Sequence, residues 1–517
     1  MACLLTAFAT PPAAEAQLGL KDRAWIPGDR VQARNGEAVA VGDFNGDGID
    51  DLAVGVPDET VPLSGGLPSA GRVRIHFGGP GGISSGSAPN QSFAEIGLIG
   101  GTSEAGDRFG AALAAADFDL DGVSDLAIGI PGQDMEGREN AGRVAVVYGS
   151  AGLGLDVFRV DFFDQRALIG GPETGDQFGA TLAAGRLGID PFPDLAVGVP
   201  GEAVSGFADV GAVNIVLSSG TAGLTDQGDQ YLHQDVENVF GFASPGDRFG
   251  SALAIGDATG DGVGDLVVGS PGDLVGTTDG AGAVQVLPGA VDGVVISSDQ
   301  VYWTQAVEGV LGAPGEGDEF GSALAFGRFN GDPHLDLAIG VPGESQFGPE
   351  ESGAVQVLYG TPLGLSTFQS QVFFESLISP EVAVFDRFGD VLAAADFNGD
   401  GFDELAIGLP RDNVLGVVNA GNVAVLRGAA AGLQSTGAQL WNGFFLLTLE
   451  AGDELGLSLA TGRFSGGGAC DLVIGVPGRE SEGGLSQAGG VLIVRSEALL
   501  VDGFESGDLD AWSQVFP

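Results

Sequence analysis

Residues 42–57, GDFNGDGIDDLAVGVP, decide the reading of the whole chain. An acidic loop opens the stretch and an apolar run ending Gly-x-Pro closes it. An EF-hand loop needs oxygen ligands at positions 1, 3, 5 and 7, Gly at 6 and a bidentate Glu at 12, between two helices. Counted from Asp43, position 12 is Val54, and the similar loops starting at Asp117, Asp257 and Asp396 place Ile128, Val268 and Ile407 there. An apolar side chain cannot close the site, so the EF-hand is excluded four times. Each loop instead has an acid at position 9, namely Asp51, Asp125, Asp265 and Glu404.

The loop recurs, and a long fixed period points to an array of identical supersecondary units. Aligned on the first loop position, the units start their loops at 43, 117, 186, 257, 328, 396 and 463. Seven residues earlier every unit has Gly (36, 110, 179, 250, 321, 389, 456), and three earlier Ala (40, 114, 183, 254, 325, 393, 460). Gly and Pro follow twelve and fourteen residues later, as in Gly55 and Pro57 or Gly129 and Pro131.

Segments such as SALAIGD and DLVVGSP are short, apolar and divided by the acidic loop, which predicts a hairpin. A third strand follows an Ala-Gly pair, as in residues 141–149, and a less regular fourth leads to a turn such as GDRFG. No long apolar stripe has helical spacing. Four strands in each of seven units predict an all-β fold, a seven-bladed β-propeller of four-stranded antiparallel blades, an arrangement that protects sheet edges by radial repetition. A linear β-solenoid is the alternative, but solenoid coils are shorter than these units.

Phe-Gly at 109, 178, 249, 320 and 388, the acidic loop and Gly-x-Pro together resemble the FG-GAP repeats of the integrin α-chain propeller and its bacterial relatives. The resemblance spans about residues 36–495. It departs at Asn35-Gly36 and Leu455-Gly456, where Phe-Gly is expected, and in the middle residue of Gly-x-Pro. It implies that the loop joins the innermost and second strands on one face of the disc, and that the two chain ends share a blade. Residues 18–30 are therefore expected to complete the last blade, with 496–504 as the rival segment. Partners of such propellers are implied to bind mainly on the face opposite the hairpins, here loops such as QDMEGREN (133–140) and the GDRFG turns.

The loop chemistry suits calcium, which takes six to eight oxygens from carboxylates, amides, backbone carbonyls and water. Repeat 1 offers Asp43, Asn45, Asp47 and Asp51, and repeat 2 offers Asp117, Asp119, Asp121 and Asp125. Repeat 4 offers Asp257, Thr259, Asp261 and Asp265, and repeat 6 offers Asp396, Asn398, Asp400 and Glu404. Position 7 would add the carbonyls of Ile49, Val123, Val263 and Phe402. Acids packed this densely repel one another without a cation, which argues against plain Asx turns. The expected cofactor is Ca²⁺ at about four sites. Repeats 3, 5 and 7 instead start with Arg186, Arg328 and Arg463. A guanidinium there is expected to stand in for the metal, unless it simply points to solvent.

Seventy acids against twenty bases give a net charge of −50, which repels nucleic acid and anionic membranes. Residues 1–16 read as the remnant of a secretory signal ending Ala-Glu-Ala, residues 17–500 as the propeller and 501–517 as a C-terminal tail. No apolar run is long enough for a membrane span. Of the two cysteines, Cys3 falls in the leader, so Cys470 is left without a partner. His76, His233 and His334 occupy unrelated repeat offsets and read as surface or turn residues. The innermost strands present nothing titratable beyond Glu37 and Asp390, so no catalytic constellation is expected. These features together suggest a secreted, calcium-stabilised adhesion or ligand-binding module with an extracellular protein or glycan partner. A polysaccharide lyase or hydrolase, or an accessory domain of one, is the competing expectation, and a structural envelope or matrix component the third.

Overall fold

The computed structural model describes residues 23–496, apart from 64, 85, 238, 291–292, 295–299, 380–381, 443–449 and 481–484. The expected leader and tail lie outside the described residues. Seven four-stranded antiparallel sheets form a ring, so the chain is a seven-bladed β-propeller. In blade 1, β2 (Ala38–Gly42) lies innermost, followed outward by β3 (Asp51–Val56), β4 (Arg72–His76) and β5 (Gln91–Phe93). The inner strands touch in cyclic order, with Leu459–Gly462 of blade 7 returning to β2.

Blade 7 takes its three inner strands from Leu459–Gly462, Asp471–Gly475 and Gly490–Val494, and its outermost from β1 (Arg23–Pro27). The registers Arg23↔Val494 and Pro27↔Gly490 show antiparallel pairing along all of β1. The N-terminal closure is as expected from the sequence. The place the rival segment would need beside Gly490–Val494 is already filled.

The second strand of every blade is buried throughout, and its alternating side chains serve two seams, as period-2 geometry requires. Leu52 and Val54 pack against Val473, Val491 and Ile493 of blade 7, whereas Ala53 joins Leu126, Ile128 and Ile130 of blade 2. Loop position 2 closes each seam from the hairpin face and the Phe of Phe-Gly closes it from the other, as Phe44 and Phe109 do between blades 1 and 2. At ring closure Phe464 keeps its role, but Asn35 holds the opposite position and bridges to Gly489.

Close backbone approach explains the Gly of Gly-x-Pro. A Cβ on Gly55 would lie 2.1 Å from the carbonyl oxygen of Gly110 in the next blade, and the contact recurs around the ring to Gly475 against Gly36. The Gly110 N–H meanwhile donates to the Gly129 carbonyl at 3.0 Å. The Phe-Gly and Gly-x-Pro motifs are therefore two halves of one interblade joint.

Candidate metal centres

The acidic loop joins the innermost and second strands, and its ninth residue starts the second strand, as the pairing Gly42↔Asp51 shows. In repeats 1, 2, 4 and 6 the first carboxylate curls over the loop and accepts the N–H groups of its fifth and sixth residues, joined in repeats 4 and 6 by that of the fourth. Asp43 accepts from Asp47 at 3.1 Å and Gly48 at 2.7 Å. Asp117 accepts from Asp121 at 3.0 Å and Gly122 at 2.9 Å. Asp257 and Asp396 repeat the arrangement with Asp261 and Gly262, and with Asp400 and Gly401. Gly at position 6 has φ between +84° and +90° in these loops, a bend that a side chain would strain.

The third and fifth residues close short turns within the loop. Asn45, Asp119 and Asn398 accept from the N–H two residues on. Asp47, Asp121, Asp261 and Asp400 do likewise to Ile49, Val123, Val263 and Phe402. In repeat 2, Asp117, Asp119 and Asp121 each bring one carboxylate oxygen within 4.8 Å of the other two. Burial, followed by the charges of Asp121 and Asp119, pushes Asp117 up from the usual carboxylate range, with loop N–H groups opposing. Thr259 is partly buried at the corresponding place in repeat 4.

The ninth acid has a role that the sequence does not disclose, because it is present in all seven loops. Asp125 accepts the N–H of Phe118 at one oxygen and that of Gly149, near the end of the third strand, at the other, both at 2.8 Å. Asp51 makes the same pair with Phe44 and Gly78, Asp265 with Ala258 and Gly289, and Asp336 with Phe329 and Gly360. Asp194 takes Leu187 and Ser218, and Asp471 takes Ser496 at 2.8 Å. Glu404 accepts from Phe397 and from the Asn398 amide. Burial is the main force raising these acids, Asp51, Asp125 and Asp336 to about 7 and Glu404 to about 8. Loop carboxylates add to the rise and the donated N–H groups oppose it.

The arginine loops are built differently. Arg186 Nε donates to the Asp190 carbonyl at 3.0 Å, and no described ion pair joins Arg186, Arg328 or Arg463 to a carboxylate. In loop 5 the Asn330 amide donates to Asp332 Oδ2 at 2.8 Å. The backbone N–H groups of Arg328 and Arg463 donate to Asp403 and Asp50, the eighth residues of the next loops, each at 2.7 Å. A guanidinium has donors only, so it cannot accept the loop N–H groups that a first-position Asp accepts. Other arginines reach the acidic loops from outside: Arg159 donates to Asp119, and Arg427 to Asp400 at 3.5 Å.

Glu37 and Asp390 stand at the opposite mouth, within ion-pair networks. Arg34 binds Glu37 at 2.7 Å and Glu454 at 2.8 Å, and Arg387 binds Glu319 at 2.5 Å and Asp390 at 3.1 Å. These arginines precede the Phe-Gly position, Arg34 in ARNG (33–36) and Arg387 in FDRFG (385–389). His233 lies in a turn, with its Nδ1 accepting the Asp235 N–H, and His334 is half-buried in loop 5. The surface or turn reading fails for His76. Its place at the end of β4 opposite Leu52 leaves it 2% exposed, and burial and then Arg74 lower it to about 4. Cys470 is a free thiol raised by burial. No described helix is long and apolar enough to cross a membrane.

The "FG-GAP repeat" family model matches residues 35–76, 109–147, 249–287, 320–358 and 388–426, which are blades 1, 2, 4, 5 and 6. The chain is an FG-GAP repeat protein, and its propeller is integrin-α-like. It is 31% identical to integrin alpha-PS2 of Drosophila melanogaster over 243 residues, 46% of this chain and 15% of that protein. It is also 33% identical to human phosphatidylinositol-glycan-specific phospholipase D over 167 residues, 32% of this chain and 19% of that protein. Both matches thus span less than a fifth of the relative's length. The crystal structure of rhamnogalacturonan lyase YesW aligns over 94% of this chain and 73% of that chain with 12% identity and a TM-score of 0.42, a likeness too loose to inform function.

Proposed function

We propose that the protein is a secreted, calcium-binding propeller that serves as a ligand-binding or adhesion module. The convergence of Asp117, Asp119 and Asp121 carries this reading, because three oxygens at that separation suit one hard cation. Asp43, Asn45 and Asp47, Asp257 and Asp261, and Asp396, Asn398 and Asp400 would hold calcium in the same loop frame. The ninth acids would offer the lone pairs their N–H donors leave unused. Calcium supplies positive charge there. The loops themselves position the oxygens, and neighbouring hairpins interlock through bonds such as Ser124 N–H to Asp43 O at 2.8 Å.

An extracellular setting follows from the need for abundant calcium and agrees with the acidic surface. The partner is proposed to be an extracellular protein or glycan bound on the face opposite the hairpins. That face exposes apolar side chains such as Phe242, 88% exposed, and Leu415. A protein and glycan array probed with and without EDTA tests the proposal. Calcium-dependent retention of a ligand without its breakdown is expected, and breakdown of a bound polymer would replace the module by an enzyme.

A further inference from the structure

A second set of polar clusters repeats around the ring on the face opposite the hairpins. At each fully described seam between blades 1 and 6, the residue two past an outer strand meets the Asp of the next Gly-Asp or equivalent turn and the residue two past Gly-x-Pro. In three successive seams an amide donates a hydrogen bond to the buried acid. Gln165 Nε2 donates to Glu202 at 2.6 Å, Gln234 Nε2 to Asp273 at 2.7 Å and Gln305 Nε2 to Glu344 at 2.6 Å. Arginine reaches the acids at other seams, through Arg143 to Glu95, Arg479 to Asp453 and Arg74 to Glu59.

The seam between blades 5 and 6 departs from this pattern. Its three members are Glu375, Asp386 and Asp412, 1%, 0% and 7% exposed, and each brings a carboxylate oxygen within 4.8 Å of the other two. Asp386 accepts the Ala383 N–H, and Asp412 accepts the Asn422 amide at 3.0 Å. Neither oxygen of Glu375 has a hydrogen-bond donor, and neither does Asp386 Oδ1. A fully buried, unpartnered carboxylate thus faces two others, where neighbouring seams supply an amide or a guanidinium.

Buried charges persist only when paired or coordinated. We propose that Glu375, Asp386 and Asp412 form a binding site for a hard divalent cation, calcium foremost, separate from the hairpin loops. Oxygens around one calcium ion sit about 2.3–2.6 Å from it, hence up to roughly 5 Å from one another, which matches this cluster. Three carboxylates from three chain segments would make the ion a clamp across the seam.

The test uses the full chain, stripped of metal, reloaded with calcium chloride, desalted and assayed for bound calcium, as wild type and as Glu375→Gln. The substitution keeps the shape and installs the amide used by three other seams. The variant is expected to retain one ion fewer and to lose part of the calcium-induced rise in melting temperature. Equal ion counts with an equal rise would overturn the site, and would mean that Glu375 holds a proton shared with Asp386. Asp117→Asn, run in parallel, reports on the hairpin sites alone, so either reading can fail without the other. If Glu375→Gln does not fold, a wild-type crystal soaked in terbium(III) decides. An anomalous peak between the three carboxylates supports the site, and its absence there overturns it.

Discussion

In loop 2, Asp117 accepts the N–H groups of Asp121 and Gly122. In loop 5 the same position is Arg328, which cannot accept them, and Asn330 bonds to Asp332 instead. Yet Asp125 and Asp336 end the two loops in the same way, each spanning from loop position 2 to a glycine at the end of the third strand. The comparison separates two jobs that the motif runs together. The ninth acid ties the loop to the strands behind it, whereas the first, third and fifth residues, on the reading proposed above, would decide whether the loop can hold a cation.

Removing calcium should have the largest effect if that division is right. A site held at a hundredfold excess over its Kd contributes about 2.7 kcal/mol, and four such sites would add up, so chelation should lower the melting temperature by several degrees. An unchanged melting curve in EDTA would remove the ionic half of the comparison. Arg328→Asp combined with Pro333→Gly sharpens it from the other side, since together they give loop 5 the head residue and the sixth-position bend of loop 1, and the variant should bind one more calcium in equilibrium dialysis.

Next in size are Asp125→Ala and Asp336→Ala, each of which strands two buried N–H groups. About 2–4 kcal/mol should be lost in denaturant unfolding, and by similar amounts in the two loops. A large loss at Asp125 with a small one at Asp336 would show that the ninth acid acts through the ion after all.

Much of this was legible in the sequence because it was repeated. The positions of Gly36, Ala40, Gly55 and Pro57 recur in register, and the missing strand of blade 7 followed from counting strands against chain ends. The loop acids were legible as a group, but the staple made by Asp51 and its equivalents was not. Its partners, such as Gly78, 27 residues on, give it a backbone N–H, a donor that any residue but proline supplies. His76 was misread because its burial depends on β4 lying inside a seam, and a single side chain does not announce which seam it faces. The seam cluster of Glu375, Asp386 and Asp412 also escaped notice, since its members come from three segments joined only by folding.

A smaller effect follows from the raised acids. Asp51, Asp125 and Asp336 at about 7 and Glu404 at about 8 bind protons more tightly folded than unfolded. Their contribution is complete below about pH 4, the usual carboxylate range, and is lost as pH rises through 7 to 8. In chelator, stability should therefore fall between pH 5 and pH 8, while saturating calcium, which favours the ionised acids, should flatten the slope. An equally steep profile with calcium would mean that the loop acids do not face an ion.

Arg159 offers the finest cut between the two loop types, because it places a guanidinium beside an acidic loop without taking its first position. It donates to Asp119, comes within 4.0 Å of Asp121 and lies over the Tyr148 ring at 4.3 Å. Half-exposed charge pairs are screened, so its influence on a nearby cation is about 1 kcal/mol or less. Arg159→Ala should strengthen calcium binding at loop 2 by up to about fivefold in a calorimetric titration, since a competing positive charge is removed. Weaker binding in that variant would reverse the inference. The guanidinium would then be holding Asp119 in place for the ion, and an arginine near these loops could serve calcium as well as exclude it.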